Sequence, residues 1–129
     1  MIRDVLKKYA APAAVLFLIV ACTAAPVQNV EQAPITPTPA SLADVTKAIT
    51  RAGVGLGWQM APVSPGKMTG TLLIREHKAV VDITYDLKTY SIKYRDSTNL
   101  NYDGTNIHRN YNGWIQNLDK AIRSNLTLQ

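Results

Sequence analysis

Three consecutive stretches of this chain alternate apolar and polar residues with a period of two, and that pattern restricts its fold more than any other feature. Between Lys67 and Arg75, Met68, Gly70, Leu72 and Ile74 fall on one side. Glu76-His77-Lys78 is a polar break of hairpin length. Ala79, Val81, Ile83 and Tyr85 then alternate with Val80, Asp82 and Thr84. After a second break at Asp86–Thr89, Tyr90, Ile92 and Tyr94 alternate with Ser91, Lys93 and Arg95. Successive side chains of a strand point to opposite faces, so each run predicts a half-buried strand. Sequential strands with short turns form an antiparallel meander. A shorter run, Trp58–Val63, predicts a fourth strand ended by Pro62 and Pro65.

The flanking segments switch to helical spacing. Ser41 is placed to cap a helix running to about Arg51, with Asp44 completing a capping-box pair. Leu42, Val45, Ile49 and Ala52 line one face, and Gly53 offers a left-handed stop. From about Ile107 to Leu126, residues Ile107, Tyr111, Trp114, Ile115, Leu118 and Ile122 recur on a second apolar stripe. Arg109, Gln116, Lys120 and Arg123 fall on its wet side. The economical solution is an α+β two-layer sandwich. Its antiparallel meander of three to four strands carries the N- and C-terminal helices on one face.

The first forty residues differ in composition. Met1–Lys8 is short and positive, and Tyr9–Val20 is a mostly apolar run too short to span a bilayer. It ends in Ile19-Val20-Ala21-Cys22, the one cysteine of the chain. This order resembles the signal peptide and lipobox of bacterial lipoproteins. The resemblance implies removal of residues 1–21, lipidation of Cys22 and attachment to a membrane through that lipid. Thr23 at the next position favours the outer membrane, facing the periplasm. From Thr23 to Ala40, Pro26, Pro34, Pro37 and Pro39 interleave with Ala, Thr, Val and Gln around a single charge, Glu31. Closely spaced prolines oppose regular ladders, so residues 22–40 are expected to form a lipidated tether ahead of a domain at 41–129.

The formal charge of +5 hints at polyanion binding, but part of it lies in the segment expected to be removed. From Thr23 onward there are 11 Lys/Arg against 8 Asp/Glu, spread without runs. No nucleic-acid partner is expected. With one cysteine no internal disulfide can form, so the core must stabilise the fold.

Residue types that carry chemistry are sparse. His77 sits in a turn between charged residues, and His108 has no second ligand type at metal spacing. Ser97, His108 and Asp96 or Asp103 could be drawn as a triad, but no nucleophile elbow surrounds that serine. Asp82 and Asp86 read as surface carboxylates. Asn99–Gly104 imitates the start of a calcium loop, yet Asn110 stands where a bidentate Glu is required. No catalytic residue, metal or cofactor is expected, and the chain is not read as an enzyme.

One cluster exceeds background. Asn99, Asn101, Tyr102, His108, Tyr111 and Asn112 lie within a short stretch ending at Trp114, and Gly113 interrupts a helix at roughly 1 kcal/mol against Ala. A glycine there asks for close packing. Tyr111-Asn112-Gly113-Trp114, with the Tyr-rich strand before it, resembles small lipoproteins of Gram-negative bacteria, and that resemblance implies no particular activity. Amides beside aromatics suit a glycan, peptidoglycan or protein surface, so these six residues form the candidate binding surface. The bland alternative places Tyr111 and Trp114 in the core and gives the asparagines to turns. The leading expectation is a non-catalytic interaction domain of the envelope, with an envelope protein or a cell-wall polymer as partner. The alternative is a small ligand- or glycan-binding lipoprotein.

Overall fold

The computed structural model describes residues 23–128, so the expected signal peptide and Cys22 lie outside the described residues. The order of elements is β1 (Ala24–Pro26), β2 (Val30–Pro34), α1 (Leu42–Gly55), β3 (Gln59–Ser64), β4 (Lys67–Ile74), β5 (His77–Tyr85), β6 (Thr89–Thr98), β7 (Asn106–His108) and α2 (Arg109–Thr127). The fold is α+β. Five strands form an antiparallel sheet in the order β2-β6-β5-β4-β3, while β1 pairs with β7 in a separate two-stranded sheet.

The central meander follows the alternation. Met68 pairs with Ile83 and Leu72 with Ala79, and Ile83 pairs with Ile92 on its other side. All of these are buried. From α1 come Val45, Ala48, Ile49 and Ala52; from α2 come Tyr111, Ile115, Leu118, Ile122 and Leu126. With the inward residues of the sheet they make one hydrophobic cluster. The opposite sheet face presents Thr69, Thr71, Asp82, Thr84 and Lys93, with Asp82 paired to Arg95 at 3.3 Å.

The segment expected to be a free tether is folded. β1 and β2 both come from it, Ala33 and Ile35 are buried, and β2 covers the edge of β6. Prolines are tolerated there because both strands are edges, where a missing N–H breaks no internal ladder. A bulge between Val30 and Ala33 places Gln32 at a φ of 50° and lets its N–H donate to Ser91 Oγ at 2.9 Å. The sheet therefore has one strand more than the upper expectation.

Other boundaries move for local reasons. Ser41 caps α1 as expected, its Oγ accepting from the Asp44 N–H. The helix continues past Gly53, which is buried, to Gly55, and the left-handed position is Gly57 at φ 90°. The hairpin between β4 and β5 turns at Arg75-Glu76, with Arg75 at φ 55°, so His77 belongs to β5. Ile107 lies in β7 rather than in the last helix. In β6 a bulge makes Arg95 an extra residue: Val80 faces Asp96 but Val81 faces Tyr94. Beyond it the parity of the strand inverts, and Ser97 reaches Tyr94 Oη at 2.7 Å.

Two glycines separate necessity from tolerance. Gly66 closes the β3–β4 turn at φ 78°, and a Cβ there would stand 2.7 Å from the Tyr85 carbonyl oxygen. A Cβ on Gly113 would meet nothing within 4 Å. Close packing is therefore not the reason for Gly113. Gly66→Ala is expected to cost roughly 1–3 kcal/mol, whereas Gly113→Ala gains about 1 kcal/mol from helix propensity. Urea unfolding of the two variants should show midpoints shifted in opposite directions.

Candidate functional site

The loop between β6 and β7, the end of β7 and the first turns of α2 hold all six candidate residues, and the structure gives each a distinct task. Asn99 and Asn101 adopt left-handed backbone, at φ 60° and 52°. Asparagine tolerates that conformation better than most residues. Between them Leu100 is driven into the core. Asn99 also ties the loop to the β4–β5 hairpin: its Nδ2 donates to the Glu76 carbonyl at 3.1 Å, and its own carbonyl lies 2.8 Å from His77 Nδ1. Asp103 accepts from the Thr105 and Asn106 N–H groups at 2.9 and 2.7 Å, and these bonds hold its carboxyl below the usual carboxylate range. This is an Asx turn, and it accounts for the oxygen donors that imitate a calcium loop.

His108 is the N-cap of α2, with Nδ1 accepting from the Asn110 N–H at 3.2 Å. Tyr102 is partly exposed and lies on Tyr94 with ring centroids 4.1 Å apart. Tyr111 meets the other side of the Tyr94 environment edge-on at 5.6 Å. Tyr111 is fully buried, and its hydroxyl has no hydrogen-bond partner among the described residues. Burial raises its pKa above the ordinary tyrosine value. Tyr90 is equally buried, but its hydroxyl donates to Asp119; burial first, and then that carboxylate, raises its pKa.

Asn112 is the pivotal member. It is 5% exposed, so it is not a surface residue of α2. Its Oδ1 accepts from the Gln28 N–H and its Nδ2 donates to the Pro26 carbonyl, both at 2.9 Å. The side-chain amide thereby acts as one more backbone unit, holding the chain between β1 and β2, where no strand pairing exists. Nearby, Val27 N–H donates to the Thr105 carbonyl and Asn29 Oδ1 accepts from the Tyr94 N–H, each at 2.9 Å. The Asn-rich composition thus serves turns and a strap: Tyr111 is buried away from the candidate surface, and Asn112 is committed to backbone groups although it lines the groove beside the strap.

A different concavity remains. An open groove of about 480 Å³ runs between the strap and α2, lined by Gln28, Arg109, Asn110, Gly113, Trp114 and Gln116 among others. Gln116 Nε2 donates to Gln28 Oε1 at 3.0 Å along one wall. Arg109 makes no ion pair among the described residues. Gln28 lies within the segment that reads as a tether, Arg109 and Gln116 read as the wet face of the last helix, and Trp114 reads as part of its apolar stripe. The open space at Gly113, a helix glycine with no packing role, is the sequence signal that marked the place.

The side chains that could be drawn as a triad each hold another bond. Ser97 is bonded to Tyr94, while His108 caps a helix and Asp103 closes a turn. Asp86 accepts from the Lys88 and Thr89 N–H groups at 2.7 and 2.8 Å, which keeps its carboxyl below the usual range. Among the described residues no three metal-ligating side chains converge, and no helix is long and apolar enough to cross a membrane. Compared with protein-family models, curated proteins and solved structures, the chain matches none.

Neighbouring substitutions on α2 should behave oppositely. Asn112→Ala strands a donor and an acceptor, and should cost about 1–3 kcal/mol with faster hydrogen exchange at Gln28. Tyr111→Phe removes a hydroxyl without a partner and should leave the unfolding midpoint unchanged or raised. Equal losses in both would show that the strap does not hang on Asn112.

Proposed function

We propose that this chain is a lipid-anchored lipoprotein of the bacterial envelope, attached through Cys22, whose folded part is a non-catalytic interaction domain. The positive, apolar and Ile19-Val20-Ala21-Cys22 regions supply the address in the required order. The observation that carries the second half is the strap. Of the side chains that sequence reading offered for chemistry or ligand contact, Asn112 is instead bonded to backbone at Pro26 and Gln28, shortly after the expected anchor, while Asn99, Asp103 and His108 serve a hairpin tie, a turn and a helix cap. The domain is built around the point where its tether would begin, as suits a module held at a membrane and presenting its remaining faces to an envelope protein or a cell-wall polymer. Outer-membrane attachment facing the periplasm belongs to the same reading.

The groove beside Gly113 favours a second reading, a small glycan- or ligand-binding lipoprotein. Amides, a guanidinium and a tryptophan edge converge there in a volume within the usual range for small-molecule sites.

Three measurements test the anchor and the two readings. With Cys22→Ala, the chain should lose its lipid-dependent processing and leave the membrane fraction; a processed variant still retained there would contradict the anchor. Crosslinking of the wild-type protein in envelopes should recover a specific protein or polymer, and recovery of bystanders alone would sink the interaction reading. For the second reading, soluble peptidoglycan fragments should shift the amide resonances of Gln28, Asn110 and Gln116, and an unchanged spectrum would dismiss it.

A further inference from the structure

One end of the domain collects features that the interaction reading leaves unused. A chain of hydrogen bonds defines it. The hairpin tip at Glu76 is bonded to Asn99. The carbonyl of Leu100 accepts from the His108 N–H at 2.8 Å, and the Arg109 N–H donates to the Thr23 carbonyl at 3.1 Å. The β4–β5 hairpin, the β6–β7 loop, the start of α2 and the entry of the chain therefore share this end. The exit of α1 joins them. Gln59, the first residue of β3, pairs with Thr71 near the end of β4, so the turn that leaves α1 lies toward the β4–β5 hairpin end of the sheet.

The exposed apolar residues are distributed unevenly between the two ends. Eight large hydrophobic residues are exposed among those described, and Val54, Leu56, Leu73, Ile74 and Tyr102 belong to this end. Leu73 is 58% and Val54 59% exposed, values that nothing in the domain accounts for. Half-buried Trp114 lies beside His77, with ring centroids 6.2 Å apart. Arg75 and Lys78 at the hairpin and Arg109 at the helix start are cationic, against the acids Glu76 in the hairpin and Asp103 in the β6–β7 loop.

Cys22 immediately precedes Thr23 in sequence, and the Thr23 carbonyl is already bonded to α2, so only one peptide unit, about 3.8 Å of chain, separates the cysteine from a fixed residue. A lipid on that cysteine leaves no spacer. Whatever surface holds the lipid must meet this end of the domain. Branched apolar side chains, a tryptophan, a tyrosine and arginines that can extend their heads into a phosphate layer are the composition that sits at a membrane interface.

We propose that this end, formed by Val54, Leu56, Leu73, Ile74, Trp114 and Arg109, is a membrane-apposed face that rests on phospholipid headgroups when the chain is anchored. The proposal rests on the reading of Cys22 as the anchor. The face orients the rest of the molecule: the strands run roughly along the membrane normal, and the turns at Gly66 and Asp86 point away from the bilayer.

The test does not depend on native lipidation. The chain from Cys22 onward, which holds every described residue, is coupled through its single thiol to maleimide-bearing phosphatidylethanolamine in phosphatidylethanolamine and phosphatidylglycerol vesicles. Trp58 is 3% exposed, so acrylamide quenching reads chiefly Trp114. Attachment should lower the quenching constant roughly two-fold. The exposed-site variant Leu56→Glu with Leu73→Glu should restore quenching to the level of uncoupled protein, while Val63→Glu with Leu87→Glu, at the other end, should leave the protection intact. Unchanged quenching on attachment, or equal loss of protection in both variants, overturns the face. The mass of the Cys22 peptide from envelopes decides the anchor separately: an unmodified cysteine there overturns the anchor, while the vesicle result still decides whether the face binds lipid.

Discussion

A carboxamide at position 112 holds together two parts of the chain that are far apart in sequence. Its oxygen takes the Gln28 N–H and its nitrogen serves the Pro26 carbonyl, and the amide itself is buried at the edge of the strap. A buried amide is stable only when both ends are satisfied, and an unsatisfied backbone group there costs as much as a lost hydrogen bond. The geometry of α2 therefore fixes the path of residues 23–30, and that path in turn sets where β2 meets β6. From there Ala33 and Ile35 enter the core, and the edge of β6 is covered. An open edge would otherwise offer its unpaired N–H and C=O groups to other chains.

The meander and both helices are legible in the sequence because each obeys one period over most of its length. Met68, Leu72, Ala79, Val81, Ile83, Tyr90 and Ile92 are buried as the alternation requires, and Ile49, Ile115, Leu118 and Ile122 as the helical spacing requires. What was not legible depends on long-range pairing. The bulge at Arg95 inverts the parity of β6, so local alternation stops before the strand does. Residues 24–34 look like a proline-rich spacer because their composition reports propensity, while their fold comes from β6, β7 and Asn112. Strands at the edge of a sheet with bulges and prolines leave little periodic trace.

The candidate surface was half visible for the same reason. Asn99, Asn101 and Asp103 sit where turn chemistry places such residues, and a sequence can announce that. Whether an amide on α2 faces solvent or a strap is decided by a partner more than eighty residues away. Gly113 was recognised as unusual, but its reason was sought in packing and the structure offers open space beside the groove instead. For an anchored protein the strap has a mechanical consequence. It removes the slack between anchor and domain, so the membrane becomes one of the surfaces the domain must fit.

The central claim is that residues 23–40 belong to the fold rather than connecting it to something else. Its most direct test compares urea unfolding of the chain starting at Thr23 with that of a chain starting at Ser41. The shorter chain loses the burial of Ala33 and Ile35 and the covering of β6, and should be destabilised by roughly 3 kcal/mol or more or fail to unfold cooperatively. Coincident unfolding curves for the two chains would contradict the account.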